Sequence, residues 1–206
     1  MASYMLPLAS FALLLACVQV LKVRALSRSN FDNLSPAALR WQLRLWSLLR
    51  RPCAIIALDI RKLHDLNAVL GYDTANGLIR DLISARQHQR SGHAHRWLDL
   101  VGTWGGDEIA LALADPRGLD RVLQHLYARL DELSTRMTPA QRRALYDRTG
   151  GLVDGLHAAI SIVPHTRDAY GSAVRAVDAT VPLKEGRITG ERSTSGAIGT
   201  VIQVLS

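Results

Sequence analysis

The sequence predicts an α/β (α+β) domain in which a mostly antiparallel sheet is backed by helices. Three observations predict this class. Short apolar runs without polar alternation, at 53–58 and 157–163, are typical of strands buried on both faces. Two further apolar stretches, 97–103 and 109–114, flank a glycine-rich turn and therefore predict a β-hairpin. Segments with helical spacing of apolar residues lie between these runs.

An apolar N-terminal segment precedes a chain length suited to one domain. The protein has 206 residues, 48% of them hydrophobic, and shows no internal repeat. Residues 4–21 carry no charge, and the next basic residues are Lys22, Arg24 and Arg28. This pattern predicts a single-pass helix of the inner (cytoplasmic) membrane within 1–26, followed by a cytoplasmic domain at 27–206. A buried or interfacial helix that packs in a dimer is the alternative.

The charge of the chain is moderately positive. Lysine and arginine number 25 against 18 aspartates and glutamates, a net charge of +7. Arginine excess suits anionic partners such as phosphates, nucleic acid or acidic lipid head groups. The arginines are scattered and no aromatic-basic module accompanies them, so we do not predict nucleic-acid binding. Cys17 and Cys53 lie in apolar segments and predict neither a disulfide nor a metal pair.

The first helix is predicted by its start signal. Residues 30–35 are rich in capping types, and Pro36 suits the first helical position. A helix is expected over 37–50, with one apolar side formed by Trp41, Leu45 and Leu48. The strand from Cys53 follows, with Asp59 at its exit. A helical stretch is expected broadly at 64–86, interrupted near Gly71, and then a polar loop at 88–95.

The elements after the hairpin are predicted by spacing and by glycine or proline signals. Leu119, Leu123, Leu126 and Leu130 recur at helical spacing and predict a helix around 117–136. Thr138 and Pro139 open a short helix that Gly150 and Gly151 end. The remaining expected elements are a strand at 157–163, a helix near 168–179 and a strand at 200–205.

Three carboxylates are placed where they would meet at one edge of the sheet. Asp59 ends a strand, and Asp107 and Glu108 lie in the hairpin turn. Clustered carboxylates repel one another unless a divalent cation joins them, and oxygen ligands suit Mg²⁺ or Mn²⁺. Such a cation with substrate phosphates is the usual arrangement for phosphoryl transfer, and Gly105 and Gly106 would let a triphosphate approach the backbone. An ordinary Gly-Gly hairpin with exposed acids is the alternative.

From about Phe31 to Arg187 the sequence resembles the GGDEF family of diguanylate cyclases. Residues 105–109 read Gly-Gly-Asp-Glu-Ile and resemble its signature, with Ile in place of Phe. Three further segments resemble family motifs: Asp32 to Ser35 with Arg40, Leu58 to Asn76, and Ile160 to Ile162. The resemblance implies a palm-like (ferredoxin-like) nucleotidyl-cyclase fold with the hairpin at its centre.

The resemblance also implies a reaction and its residues. A 3′-hydroxyl would attack an α-phosphate with loss of pyrophosphate, twice, so that a homodimer condenses two GTP molecules into cyclic di-GMP. Asp59, Asp107 and the Ile60 carbonyl would bind Mg²⁺ or Mn²⁺, and Glu108 would position or deprotonate the hydroxyl. The implied substrate contacts are Asn67, Asn76, Gly105, Gly106, His64, Lys184 and Arg187. Arg96 and Asp99 match an inhibitory Arg-x-x-Asp site that binds the product.

Several positions depart from the family pattern. Arg61 stands where the family often has a second acid after Asp59. His64 replaces the phosphate-binding lysine, and Thr103 replaces the arginine that commonly precedes the signature. The family has a phosphate-binding Lys-x-x-x-Arg near its C-terminus, and the spacing from Lys184 to Arg187 is one residue shorter than that. Asn76 stands where the family has an aspartate that binds guanine. Because an amide offers both a donor and an acceptor, we expect altered base selectivity, with ATP as a further candidate substrate.

Two functions remain open at this point. The retained Asp59, Asp107 and Glu108 favour an enzyme. The missing phosphate-binding lysine favours a degenerate domain that binds cyclic di-GMP through Arg96 and Asp99 without making it. An interaction-only dimerisation domain is a third alternative.

Overall fold

Helices and strands alternate along the chain in the computed structural model, which describes residues 33–88, 99–105, 107–184 and 201–205. Six α-helices and five strands occupy these ranges. In chain order they are α1 (Pro36–Leu48), β1 (Cys53–Ile60), α2 (Leu63–Leu70), α3 (Tyr72–His88), β2 (Leu100–Gly105), β3 (Glu108–Leu113), α4 (Leu119–Thr135), α5 (Pro139–Arg148), β4 (Ala158–Thr166), α6 (Ala169–Lys184) and β5 (Val201–Val204).

The five strands form one sheet in the order β2-β3-β1-β4-β5. β1 pairs antiparallel with β3 and β4, β2 pairs antiparallel with β3, and β5 runs parallel to β4. The predicted mixed α/β class with a mostly antiparallel sheet is therefore confirmed. β1 is the central strand, and all of its residues are buried, as the unbroken apolar run at 53–58 predicts for the residues before Asp59.

Helices cover both faces of the sheet, and the alternation of side chains along β1 divides the core in two. Ile55 and Ala57 belong to a cluster with residues of α1 and α6. Ile56 and Leu58 belong to a second cluster with residues of the helices α2 to α5. This two-sided packing follows from the period of two along a strand, which sends successive side chains to opposite faces.

Two helices begin at the positions that their capping residues predict. The Ser35 side chain accepts a hydrogen bond from the Ala38 N–H at the start of α1. Thr138 and Gln141 form a reciprocal capping box at the start of α5. The ends of some elements differ from the prediction, since α6 continues to Lys184, well beyond residue 179.

The apolar side predicted for α1 is not the side that packs on the sheet. The helix buries Leu39, Leu43 and Trp46, whereas Trp41 is 42% and Leu48 is 80% exposed. Both sets recur at helical spacing, so α1 carries two apolar stripes. Spacing alone could not decide which stripe packs on the sheet, because that choice depends on α6 and β2, which lie far away in the sequence.

The expected membrane helix within 1–26 lies outside the residues that the structure describes. The loop predicted at 88–95 also lies outside them, except for His88, which is the last residue of α3. Among the described helices, none is both long enough and apolar enough to span a bilayer.

Candidate active site

The pairing of β1 with β3 brings the three predicted carboxylates to one end of the sheet. Asp59 is in register with Glu108 on the neighbouring strand. Gly105 and Glu108 also pair with each other, so the predicted four-residue turn is shorter, and Asp107 lies within it. A Cβ atom added at Gly105 would lie 3.2 Å from Glu108 Oε2, so a larger residue here would crowd that carboxylate.

Lys184, at the C-terminal end of α6, bridges two of these carboxylates. Its Nζ lies 2.8 Å from Asp59 Oδ1 and 3.0 Å from Asp107 Oδ2. The contact with Asp107 has the angles of a hydrogen bond, whereas the contact with Asp59 is an ion pair without that alignment. The side chain of Asp59 is only 3% exposed, so the ammonium neutralises a carboxylate that would otherwise be isolated in the core.

The pKa values of the site reflect burial and crowding of like charges. Burial raises the pKa of Asp59 to about 6, against the opposing effect of Lys184 and with a further rise from Asp107. Burial, together with the charge of Asp107, also raises the pKa of Glu108. Burial disfavours the Lys184 ammonium, but its contacts with the two aspartates outweigh this effect and raise the pKa of Lys184. The carboxylates therefore need a cation near them.

The donor set suits a hard divalent cation that is shared with phosphates. The described residues contain no group of three or more Asp, Glu, His or Cys side chains that could hold a metal ion alone. Mg²⁺ commonly takes one or two protein carboxylates and completes its coordination with substrate phosphates and water. Asp59 and Asp107 supply that number. Asp59 Oδ1, which is buried and lacks an aligned hydrogen-bond donor, is a suitable ligand atom.

The predicted substrate-binding residues after β1 lie on two consecutive helices. His64 and Asn67 belong to α2, and Asn76 belongs to α3. His64 is exposed, whereas Asn67 and Asn76 are partly buried. Asn67 Oδ1 is buried and accepts no hydrogen bond within the described part of the chain, which suits an atom that awaits a ligand. Arg61, in place of the family's second acid, is buried beside the end of β1.

A contact between α1 and the residue before the signature was not predicted. Arg40 Nη2 donates to the Trp104 carbonyl at 2.8 Å, and its guanidinium lies 5.0 Å from the centre of the Trp104 ring. Trp104 packs against Tyr170 with ring centroids 5.9 Å apart, and Arg44 lies over Tyr170 at 4.7 Å. These alternating guanidinium and aromatic groups connect α1, β2 and α6. The only sequence signal for them is the i, i+4 spacing of the two arginines.

Three of the predicted site residues lie outside the described ranges: Arg96, Gly106 and Arg187. Asp99, the partner of Arg96 in the predicted product-binding site, is described. Its Oδ1 accepts a hydrogen bond from the Ala114 N–H at 2.8 Å, next to the open end of the β2–β3 hairpin. Asp99 therefore stabilises the hairpin, whatever further ligand it binds.

Solved structures of GGDEF domains share this fold. No protein-family model matches the chain, and no curated protein matches it in sequence. The diguanylate cyclase SiaD of Pseudomonas aeruginosa, solved with its activator SiaC, aligns at a TM-score of 0.61 and 16% identity, over 96% of this chain and 69% of that one. The GGDEF domain of DgcB from Caulobacter crescentus, solved with c-di-GMP, aligns at 0.52 and 16%, over 85% and 94%.

A third neighbour combines the domain with others. LapD of Vibrio cholerae, an S helix-GGDEF-EAL protein bound to c-di-GMP, aligns at a TM-score of 0.56 and 13% identity, over 85% of this chain and 38% of that one. The described residues therefore have the fold of a GGDEF domain, a mixed α/β arrangement of the nucleotidyl-cyclase type. At these identities the likeness establishes the fold and leaves the activity to be argued from the site.

Proposed function

We propose that this protein is a metal-dependent nucleotidyltransferase that condenses two GTP molecules into cyclic di-GMP and releases pyrophosphate. One observation carries the proposal: Asp59, Asp107 and Glu108 meet at the end of the sheet, where a cation already bridges two of them. Three acids gathered in this way destabilise a fold unless they bind something positive, which is the signature of a functional site.

The roles of the residues follow from their chemistry. Asp59 and Asp107, with the Ile60 carbonyl, would hold Mg²⁺ or Mn²⁺, and the bound ion would neutralise charge on the phosphates. Lys184 would leave the aspartates and contact those phosphates. The raised pKa of Glu108 suits a group that takes the proton of the attacking 3′-hydroxyl. The new bond joins O3′ to the α-phosphorus as the bond to the pyrophosphate oxygen breaks.

Each site would hold one nucleotide, so the two condensations require two copies of the chain facing each other. A homodimer is therefore part of the proposal, as is attachment to the inner membrane through the segment before residue 27. Asn67, with its buried acceptor atom, would bind the base or the sugar edge. Asn76 would relax the requirement for guanine, because its amide can also serve a base that lacks the guanine donors.

The test is to identify the products of the full chain. The protein in lipid nanodiscs would receive Mg²⁺ or Mn²⁺ with GTP, ATP or both, and products would be identified by mass spectrometry. We expect cyclic di-GMP from GTP, with mixed or adenine products if Asn76 relaxes selectivity. Glu108→Gln should lower the rate by about 10²-fold or more, while Asp147→Asn on the exposed side of α5 should leave it unchanged.

The alternative is a receptor that binds cyclic di-GMP without making it. It predicts no turnover with any nucleotide, and tight cyclic di-GMP binding that Arg96→Ala abolishes. These two results together would overturn the proposal that the protein is an enzyme. If mixed GTP and ATP give only cyclic di-GMP, the proposed enzymatic activity stands and the proposed change in base selectivity is refuted.

A further inference from the structure

Helix α1 and its C-terminal turn leave one apolar and basic side uncovered. We call this side the outer face of α1 and define it by five exposed residues: Trp41, Arg44, Leu48, Leu49 and Arg50. Leu48 and Leu49 are 80% and 66% exposed, which is unusual for leucines of a packed helix. Trp41, Arg44 and Leu48 follow the helical spacing of three and four, so they lie on the same side.

The arginines of the outer face are not paired with any described carboxylate. Within the described ranges Arg44 and Arg50 make no ion pair with a carboxylate, and Arg44 instead hydrogen-bonds the Tyr170 hydroxyl at 3.2 Å. On the opposite side of the sheet most of the described arginines in the helices or next to their ends are paired. Those in ion pairs are Arg117, Arg129, Arg136, Arg142, Arg143 and Arg148.

The neighbouring sequence strengthens the positive charge. Residues 36–52 contain four arginines and no acid, and Arg51 lies over the ring of Trp46 at 4.7 Å. The acidic residue that contacts α1 is Asp168, which accepts a hydrogen bond from Ser47 and another from the Gly171 N–H at the start of α6. The Arg44 and Arg51 guanidinium groups therefore lie against aromatic rings, and neither makes an ion pair with a described carboxylate.

We propose that the outer face of α1 docks on the surface of an anionic lipid bilayer. Arginine beside tryptophan and leucine is the composition of helices that lie in the membrane interface, where the apolar groups enter the acyl boundary and the cations contact head groups. A second copy of the chain fits less well, since a symmetric contact would oppose two faces of the same positive charge. Nucleic acid would leave Leu48 and Leu49 in water.

The position of the outer face in the chain agrees with this partner. Ser35, the cap of α1, follows Leu21, the end of the uncharged stretch, by 14 positions. An extended linker of that length reaches at most about 50 Å, so α1 would remain close to any bilayer that holds the stretch. The proposal uses no catalytic residue, so it stands or falls independently of the nucleotide chemistry.

A fluorophore on the outer face tests the proposal in the full chain. Leu48→Cys in a Cys17→Ser background would carry the environment-sensitive dye NBD, since Cys53 is fully buried and should not react. Leu152→Cys, 45% exposed beside α5 on the other side of the sheet, is the matched control label. Each protein would be compared in nanodiscs of pure phosphatidylcholine and in nanodiscs containing phosphatidylglycerol.

We expect a blue shift and a rise of NBD emission at position 48 in the anionic nanodiscs, and none at position 152. Changing Arg44, Arg50 and Arg51 to Gln should reverse the shift. Each arginine near an anionic surface raises the ratio of docked to undocked protein roughly fivefold, so the loss of three lowers it on the order of a hundredfold. Arg143→Gln is the control for charge. Since the triple variant could fold poorly, 0.5 M salt added to the unaltered protein provides a second reversal.

Other results would overturn the proposal. An equal signal in both kinds of nanodisc, insensitive to salt, would show that the face does not recognise anionic lipid. A shift that appears with duplex DNA or RNA and not with lipid would assign the face to nucleic acid. A shift in neutral nanodiscs that grows with the number of chains per disc would assign it to a second copy.

Discussion

Asp59 is a carboxylate in the central strand of the sheet, and its environment explains much of the site. A buried charge is unfavourable unless it is paired, and Lys184 supplies the pairing when no other cation is bound. The ion pair joins residues from β1 and α6, and Asp107 adds the hairpin turn to the same contact. A single ammonium thus connects three separate elements at the end of the sheet.

The raised pKa of Asp59 predicts how stability depends on pH. The folded pKa of about 6 exceeds the ordinary value of 3.8, so the folded state binds this proton more tightly than the unfolded state does. The stabilisation is complete below the unfolded pKa and is lost as pH rises through the folded pKa of about 6. In EDTA, the free energy of unfolding of Asp59→Asn minus that of the unaltered protein should therefore increase from pH 4 to pH 7.

Urea unfolding at both pH values measures this difference. Asp147→Asn on the exposed side of α5 controls for the loss of a carboxylate elsewhere. A difference that stays constant with pH would show that the pKa of Asp59 is not raised.

The bridging position of Lys184 predicts competition with a divalent cation. Without nucleotide, the ammonium and the metal ion would seek the same two carboxylates. Lys184→Met should therefore raise the affinity for Mn²⁺ by roughly tenfold or more, because a nearby positive charge is removed. Calorimetry with Mn²⁺ alone measures this affinity independently of turnover. Arg175→Met on the same helix is the control, and an unchanged Mn²⁺ affinity in Lys184→Met would contradict the competition.

At the scale of elements, α1 and the chain before it hold the hairpin in place. The Leu34 N–H donates to the Val101 carbonyl, and the Thr103 N–H donates to the Leu34 carbonyl. Arg40 adds its hydrogen bond to the Trp104 carbonyl, immediately before the signature. The strand that leads into Gly105 is therefore held along its outer edge, and this contact restricts where Asp107 and Glu108 can lie.

The close approach of this segment to β2 predicts a strong effect of Gly102→Ala. A Cβ atom at position 102 would lie 2.7 Å from the Leu34 carbonyl oxygen and 3.0 Å from the Leu34 Cβ, which is too close to keep both hydrogen bonds. We expect a loss of about 1–3 kcal/mol in the free energy of unfolding. Gly77→Ala is the matched control, since position 77 lies in α3 with no atom within 4 Å of the added Cβ.

The control substitution should stabilise the protein by up to about 1 kcal/mol, because alanine is the better helix former. Urea unfolding of the two variants gives both values. A Gly102→Ala variant as stable as the unaltered protein would show that the contact with Leu34 can relax freely.

At the scale of the molecule, the two sides of the sheet have different surfaces. The helices α2 to α5 cover one side, carry arginines in ion pairs and include the residues predicted to contact the base. The helices α1 and α6 cover the other side and carry the unneutralised outer face of α1 and, at the end of α6, Lys184. The carboxylates lie at the end of the strands between these layers, so both layers contribute to the site.

Much of the fold follows from patterns that span only a few residues. The apolar run of β1, the hairpin around Gly105 and the caps of α1 and α5 were all predicted, because strand burial, turn chemistry and capping are local properties. The meeting of Asp59 with Glu108 was predicted as well, since both residues lie near the ends of strands that we expected to be neighbours.

The contacts between distant residues were not predicted in this way. The resemblance assigned Lys184 to the substrate, yet in the structure it contacts Asp59 and also Asp107, 77 positions earlier. The contact of Arg40 with Trp104 spans 64 positions and carries no sequence signal beyond the i, i+4 spacing of Arg40 and Arg44. Such contacts depend on how helices cross the sheet, which no short pattern encodes.

The sequence by itself determined the order of helices and strands, the hairpin and the three acids that define the candidate site, because each depends on neighbours in the chain. Only the tertiary structure decided which stripe of α1 is buried and which cation stands between Asp59 and Asp107. The physical reason is the same in both cases: α1 has two apolar stripes and the sequence has many basic residues, so the choice is made by packing between elements far apart in the sequence.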